Sequence, residues 1–123
     1  MGTARLRKPS IRALQNAVRV TADNEWGPQT DKACSIVNHA SSGQFPFGLK
    51  ATQKTVGVSQ DGVWGPETRA ATWLTVIHVQ KALTLMGFDT QGLDGIWGPK
   101  TQAAFYAARD SHHPYEPPKE PDD

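Results

Sequence analysis

Three aspartates, Asp23, Asp61 and Asp94, each stand three residues ahead of a tryptophan, and with Glu67 they are the carboxylates whose spacing suggests acid–base chemistry. Glycoside cleavage sets two such groups across one sugar bond, and Asp61, Asp94 and Glu67 are the candidates for it. Yet the Asp recurs at the same place in three near-identical phrases, and turn formation explains it without a substrate. Cys34, with His39 five residues on, is the one thiol nucleophile to consider. No orienting motif surrounds it, so it reads as a small buried core residue. His78 falls inside a helical stretch and reads as a helix-face residue, and the adjacent pair His112 and His113 lacks the further ligands of a zinc site. The chain is expected not to be an enzyme, and to hold no metal and no cofactor.

The phrases that position these aspartates are "DNEWGPQT" at 23–30, "DGVWGPET" at 61–68 and "DGIWGPKT" at 94–101. Each letter has a mechanical role. Asp94 followed by Gly95 makes a tight turn, the Asp bonding nearby backbone N–H groups and the Gly taking positive φ. Trp97 then plugs the core, Gly98 turns the chain, and Pro99 suits the first helical position, where its missing N–H costs nothing. Asp61, Gly62, Trp64, Gly65 and Pro66 repeat the set, and Asp23, Trp26, Gly27 and Pro28 repeat it with Asn24 in place of the turn glycine. Asn also tolerates the left-handed region, which makes the first copy the most degenerate. A Gln precedes the Asp by eight residues in the first two copies (Gln15, Gln53) and by fourteen in the third (Gln80), so the third copy carries an insertion between helix and phrase.

Between the second and third phrases "PETRAATWLTVIHVQKALTLMG" runs from Pro66 to Gly87, a helix start and a helix stop. Its apolar residues cover more than one stripe, which predicts a spine shared by two units. Shorter helices are predicted near 9–19, 28–40, 47–56 and 99–109. The fold class is therefore all-α, a small helical bundle of three repeated helix-loop-helix units, about 9–40, 46–74 and 72–109, within a domain spanning 9–110.

A chain of 123 residues has room for one compact domain or a short array of small units. Its formal charge of +1 hides an asymmetry: residues 1–109 hold twelve Lys/Arg against seven Asp/Glu (+5), and residues 110–123 hold one against five (−4). Arg5, Arg7 and Lys8 lie in a basic N-terminal arm, residues 1–8, suited to an anionic surface. The segment 111–123, "SHHPYEPPKEPDD", cannot build a core and reads as an extended acidic tail whose Tyr115 and prolines either remain solvated or dock on a neighbour. With one cysteine, no intrachain disulfide forms. No export signal and no membrane span is visible in the sequence, so the expected site of synthesis is the cytoplasm.

Leu-Gln, a helix, Gly, a loop, then "DGIWGPKT" and an Ala-rich helix: this succession resembles the peptidoglycan-binding domain attached to bacterial and phage cell-wall hydrolases. The likeness is fullest over 76–108, good over 50–74 and weaker over 9–37. Trp26, Trp64 and Trp97 stand where that family commonly has Phe or another aromatic. The resemblance implies a helical bundle that binds cell-wall peptidoglycan without cleaving it, with Tyr106 as a candidate stacking surface. It also implies a setting in a phage particle, where the partners are peptidoglycan and other virion or wall-associated proteins; no nucleic acid is expected. The alternative is a virion assembly protein that keeps the fold for protein contacts, since fold alone does not fix function.

Overall fold

The computed structural model describes residues 11–111. The basic arm with Arg5, Arg7 and Lys8, the His112–His113 pair, and Tyr115 lie outside the described residues. Five helices occur within them and no strand: α1 (Arg12–Ala17), α2 (Pro28–Ala40), α3 (Leu49–Val56), α4 (Pro66–Leu85) and α5 (Pro99–Ser111). Ser111, expected as the first residue of the tail, is the last of α5. No helix among them is long and apolar enough to cross a membrane.

The three helices that follow the phrases begin alike. Pro28, Pro66 and Pro99 each occupy the first turn, and Gly27 and Gly65 precede the first two in extended backbone. Proline there lacks a donor that the helix could not have used. The preceding helices end in a left-handed residue: Gly57 after α3 at φ 83°, Gly87 after α4 at φ 98°, and Arg19 after α1 at φ 61°. The next backbone N–H then reaches back five residues, Val20 to Gln15, Val58 to Gln53 and Phe88 to Leu83, which satisfies carbonyls that the helix end leaves open. Arg19 takes without a glycine the conformation that Gly57 and Gly87 take with one.

Helix α4 packs against each of the other four. Only part of its apolar content is spent in doing so. Val76, Val79, Ala82 and Leu83 are buried, whereas Trp73, Leu74 and Leu85 stay at least about half exposed. The first half of the helix turns threonines inward instead. Thr72 donates its hydroxyl to the Thr68 carbonyl at 2.8 Å and Thr75 to that of Ala71 at 2.8 Å, so these buried hydroxyls keep their hydrogen bonds.

The core is built from Ile11, Leu14 and Val18 around α1, Cys34 and Val37 of α2, the second half of α4, and Ala104, Phe105 and Ala108 of α5. Phe105 is its aromatic post: Trp26 packs on it at 5.5 Å between centroids and Trp97 at 5.6 Å. The sequence predicts three equivalent tryptophan plugs, and the structure differs at the second. Trp26 is 1% exposed and Trp97 9%, but Trp64 is only half-buried and packs, tilted by 55°, at 4.9 Å from Phe45. Two physical differences account for this. Trp26 donates its indole N–H to Asp31 and Trp97 to Gln102, each five positions on, whereas the residue five after Trp64 is Arg69, which has no acceptor. Phe105, moreover, is already covered by the other two rings.

Candidate functional site

The three phrases are each tied down by one buried glutamine. Gln80 donates from Nε2 to Asp94 Oδ1 (3.0 Å), the Ile96 carbonyl (3.0 Å) and Thr101 Oγ1 (3.0 Å), and its Oε1 accepts from the Gly95 backbone N–H (3.0 Å). Gln53 makes the same set with Asp61 (2.8 Å), Val63 (3.0 Å), Thr68 (3.0 Å) and Gly62 (2.9 Å). Gln15 makes it with Asp23 (3.0 Å), Glu25 (3.0 Å), Thr30 (3.1 Å) and Asn24 (2.9 Å). A single amide thus joins the helix that carries it, the turn, and the first turn of the next helix. The extra residues between Gln80 and Asp94, expected to lie between helix and phrase, are divided between a longer helix end, which runs to Leu85 before Gly87, and a longer loop from Gly87 to Asp94, and the clamp keeps the same contacts.

Each Asp is doubly engaged, because its Oδ1 also accepts from the backbone N–H two residues on: Glu25 at 3.0 Å, Val63 at 2.9 Å and Ile96 at 3.0 Å. The turn residues Asn24, Gly62 and Gly95 have φ of 64°, 74° and 76°. Asn24 does more than stand in for glycine, since its Oδ1 accepts the Ile11 N–H at 2.8 Å just ahead of α1. Gly95 has a further constraint: Trp73 donates its indole N–H to the Asp94 carbonyl at 3.1 Å, and its ring lies where a β-carbon on residue 95 would go.

These bonds hold all three carboxyls below the ordinary aspartate range. The backbone N–H is the larger cause at Asp23 and Asp61, followed by the Gln side chain; at Asp94 Gln80 comes first. Groups that titrate lower in the folded than in the unfolded chain stabilise fully above the unfolded value of about 3.9, and that contribution is lost as pH falls through the lowered folded values. Acid unfolding is therefore expected below about pH 4. The triple variant Asp23→Asn, Asp61→Asn, Asp94→Asn, which keeps an acceptor but cannot titrate, is expected to flatten that limb of the stability profile. Circular dichroism melts from pH 2 to 7 check this, and an unchanged acid limb places the sensitivity elsewhere.

The other chemical candidates are placed as follows. Cys34 is fully buried, and burial, with a smaller contribution from Asp31, pushes its thiol pKa up. His39 is turned to its own helix, its Nδ1 2.8 Å from the Ser35 carbonyl. His78 is exposed on α4 and lines a shallow groove against α1. Among the described residues no three His, Cys, Asp or Glu side chains converge as metal ligands.

Tyr106, 42% exposed, borders an open groove of about 580 Å³ between the end of α2 and the start of α5. The groove is lined by Trp97, Tyr106, Asn38, Gln102 and Ser42, with Gly98 and Pro99 of the third phrase. Asn38 donates to Gln102 Oε1 at 3.2 Å, and the same oxygen accepts the Trp97 indole N–H at 3.1 Å. Arg109 lies 5.1 Å over the Tyr106 ring and pairs with Asp31 at 3.4 Å, which steadies the ring. The lining carries two aromatic rings, two amides and a hydroxyl, and no charge. Asn38 and Gln102 are 64 positions apart, and neither was recognisable as a site residue from local sequence; the Asp–Thr spacing, the same in all three phrases, was the signal for the threonines, and the Gln–Asp spacing, shared by the first two copies only, was the signal for Gln15 and Gln53. Comparison with known proteins matches the chain to no family model, no curated protein and no solved structure.

Proposed function

We propose that the chain is a non-catalytic module that binds bacterial cell-wall peptidoglycan, made of three degenerate helix-loop-helix units of the peptidoglycan-binding kind and working in a phage particle. The observation that carries this reading is the uncharged groove at Tyr106, opened by the third phrase. Sugar rings offer flat apolar faces to aromatic side chains, and their hydroxyl and acetamido groups suit amides such as Asn38 and Gln102. The repeated glutamine clamps support the three-unit reading. A binding rather than a cleaving role is supported by the aspartates, each committed to its own turn, and by the buried Cys34 thiol.

The test is co-sedimentation of the full chain with insoluble peptidoglycan stripped of anionic polymers. Retention is expected to survive at about physiological salt, where the Debye length is roughly 8 Å and a basic arm acting alone is screened. Retention that vanishes there overturns the reading.

A second reading, virion assembly through protein contacts, rests on a separate observation. Val63 and Ile96, at the same place in their phrases, are 60% and 64% exposed, and Trp73 is 50% exposed. Under this reading Val63→Ser with Ile96→Ser weakens incorporation into a particle while leaving melting and wall binding unchanged; normal incorporation removes it.

A further inference from the structure

A second groove, of about 420 Å³, runs between the end of α1, one flank of α2 and the last turns of α3, apart from the one at Tyr106. Its floor includes Val18, Val20 and Ile36, its rim carries Arg19, Lys32 and Lys54, and no Asp or Glu lines it. Among the described residues the ion pair is Arg109 with Asp31, so none of the three rim cations meets a carboxylate there. Two of them are also positioned. Arg19 has left-handed φ, and its guanidinium lies against Gly57 where a β-carbon would collide with it. Lys32 sits 4.7 Å over the Phe47 ring. Three cations on the rim, two of them held in place, over an apolar floor make a surface for an acidic segment that also carries apolar groups.

The chain supplies such a segment. Residues 112–123 lie outside the described residues and contain Glu116, Glu120, Asp122 and Asp123 against Lys119, with Tyr115 and four prolines among them. Proline limits the ordering entropy that opposes docking. Reach is sufficient: Arg109, two residues before the end of α5, is tied to Asp31 in the first turn of α2. Lys32 stands at that same end on the other flank, about a helix diameter of ~10 Å away, and twelve extended residues span ~37 Å. We propose that the acidic, proline-rich segment 114–123 docks in cis into this groove, its carboxylates on Arg19, Lys32 and Lys54 and its Tyr and Pro side chains on the apolar floor.

The test uses the full chain and backbone amide NMR. Neutralising the segment (Glu116→Gln, Glu120→Gln, Asp122→Asn, Asp123→Asn) is expected to move the resonances of Val20, Lys32, Ile36 and Lys54. Adding about 0.5 M salt to the unaltered chain is expected to move them the same way, because exposed pairs are screened at that strength. Both responses are expected to be independent of protein concentration, and Lys32→Glu with Lys54→Glu to remove the response to neutralisation. Should that double variant not fold, the first two measurements decide alone. Unmoved groove resonances overturn the proposal. Shifts confined to the basic arm also overturn it, as do shifts that grow with concentration, which assign the groove to a neighbouring copy.

Discussion

Replacing Trp26 with Ala is expected to cost about 3 to 5 kcal/mol, the usual range for emptying a large buried aromatic site, whereas Trp64→Ala is expected to cost about 1 to 2 kcal/mol, since a half-buried ring removes less area from water. The contrast comes from packing, because the two residues sit in the same phrase and the same turn. Trp26 loses its contact with Phe105, vacates a site that is 1% exposed, and leaves Asp31 without its indole donor. Trp64→Ala loses a tilted contact with Phe45 at a half-buried place. Chemical denaturation of both variants measures this directly, and equal losses would mean that all three rings are equivalent anchors after all.

That contrast also marks the limit of what the sequence discloses. Local signals are read locally: Pro28, Pro66 and Pro99 mark three helix starts, and Gly57 and Gly87 mark two ends. The all-helical class follows from such signals. Which tryptophan is buried depends on Phe105, and no feature of the phrase around Trp26 or Trp64 states where Phe105 lies. The glutamines were visible as a spacing but not as clamps, because a polar side chain gives no sign that it is buried until its partners surround it. The groove at Tyr106 was legible in Tyr106 and in the third phrase, through Trp97, Gly98 and Pro99; its amides come together through the packing of α2 against the start of α5.

Gln80→Leu is expected to cost about 3 kcal/mol or more, although it replaces a polar residue by an apolar one of similar size in a buried place. Asp94 and Ile96 are exposed and water can satisfy them, but the Gly95 N–H and the Thr101 hydroxyl lose a buried partner, and each buried unsatisfied group costs about 1 to 3 kcal/mol. Gln53→Leu is expected to cost less, because Gly62 is exposed and Thr68 keeps the Val63 carbonyl as a partner. The loss is expected to appear as a lower denaturation midpoint with an unchanged slope. A loss under about 1 kcal/mol in both variants would show that the clamps record the turn geometry rather than hold it.

The wall-binding reading is tested most directly by titrating the full chain with a soluble disaccharide-peptide fragment of peptidoglycan, followed by NMR, with Tyr106→Ala as the comparison. Shifts are predicted at Asn38, Ser42, Gln102, Tyr106 and the Trp97 indole N–H, the groups that line the neutral groove. Affinity is predicted to fall at least about tenfold in the variant, the equivalent of about 1.4 kcal/mol, while its thermal unfolding stays close to that of the parent because the ring is 42% exposed. No shift at saturating fragment, or shifts of equal size in a correctly folded Tyr106→Ala chain, would contradict the account.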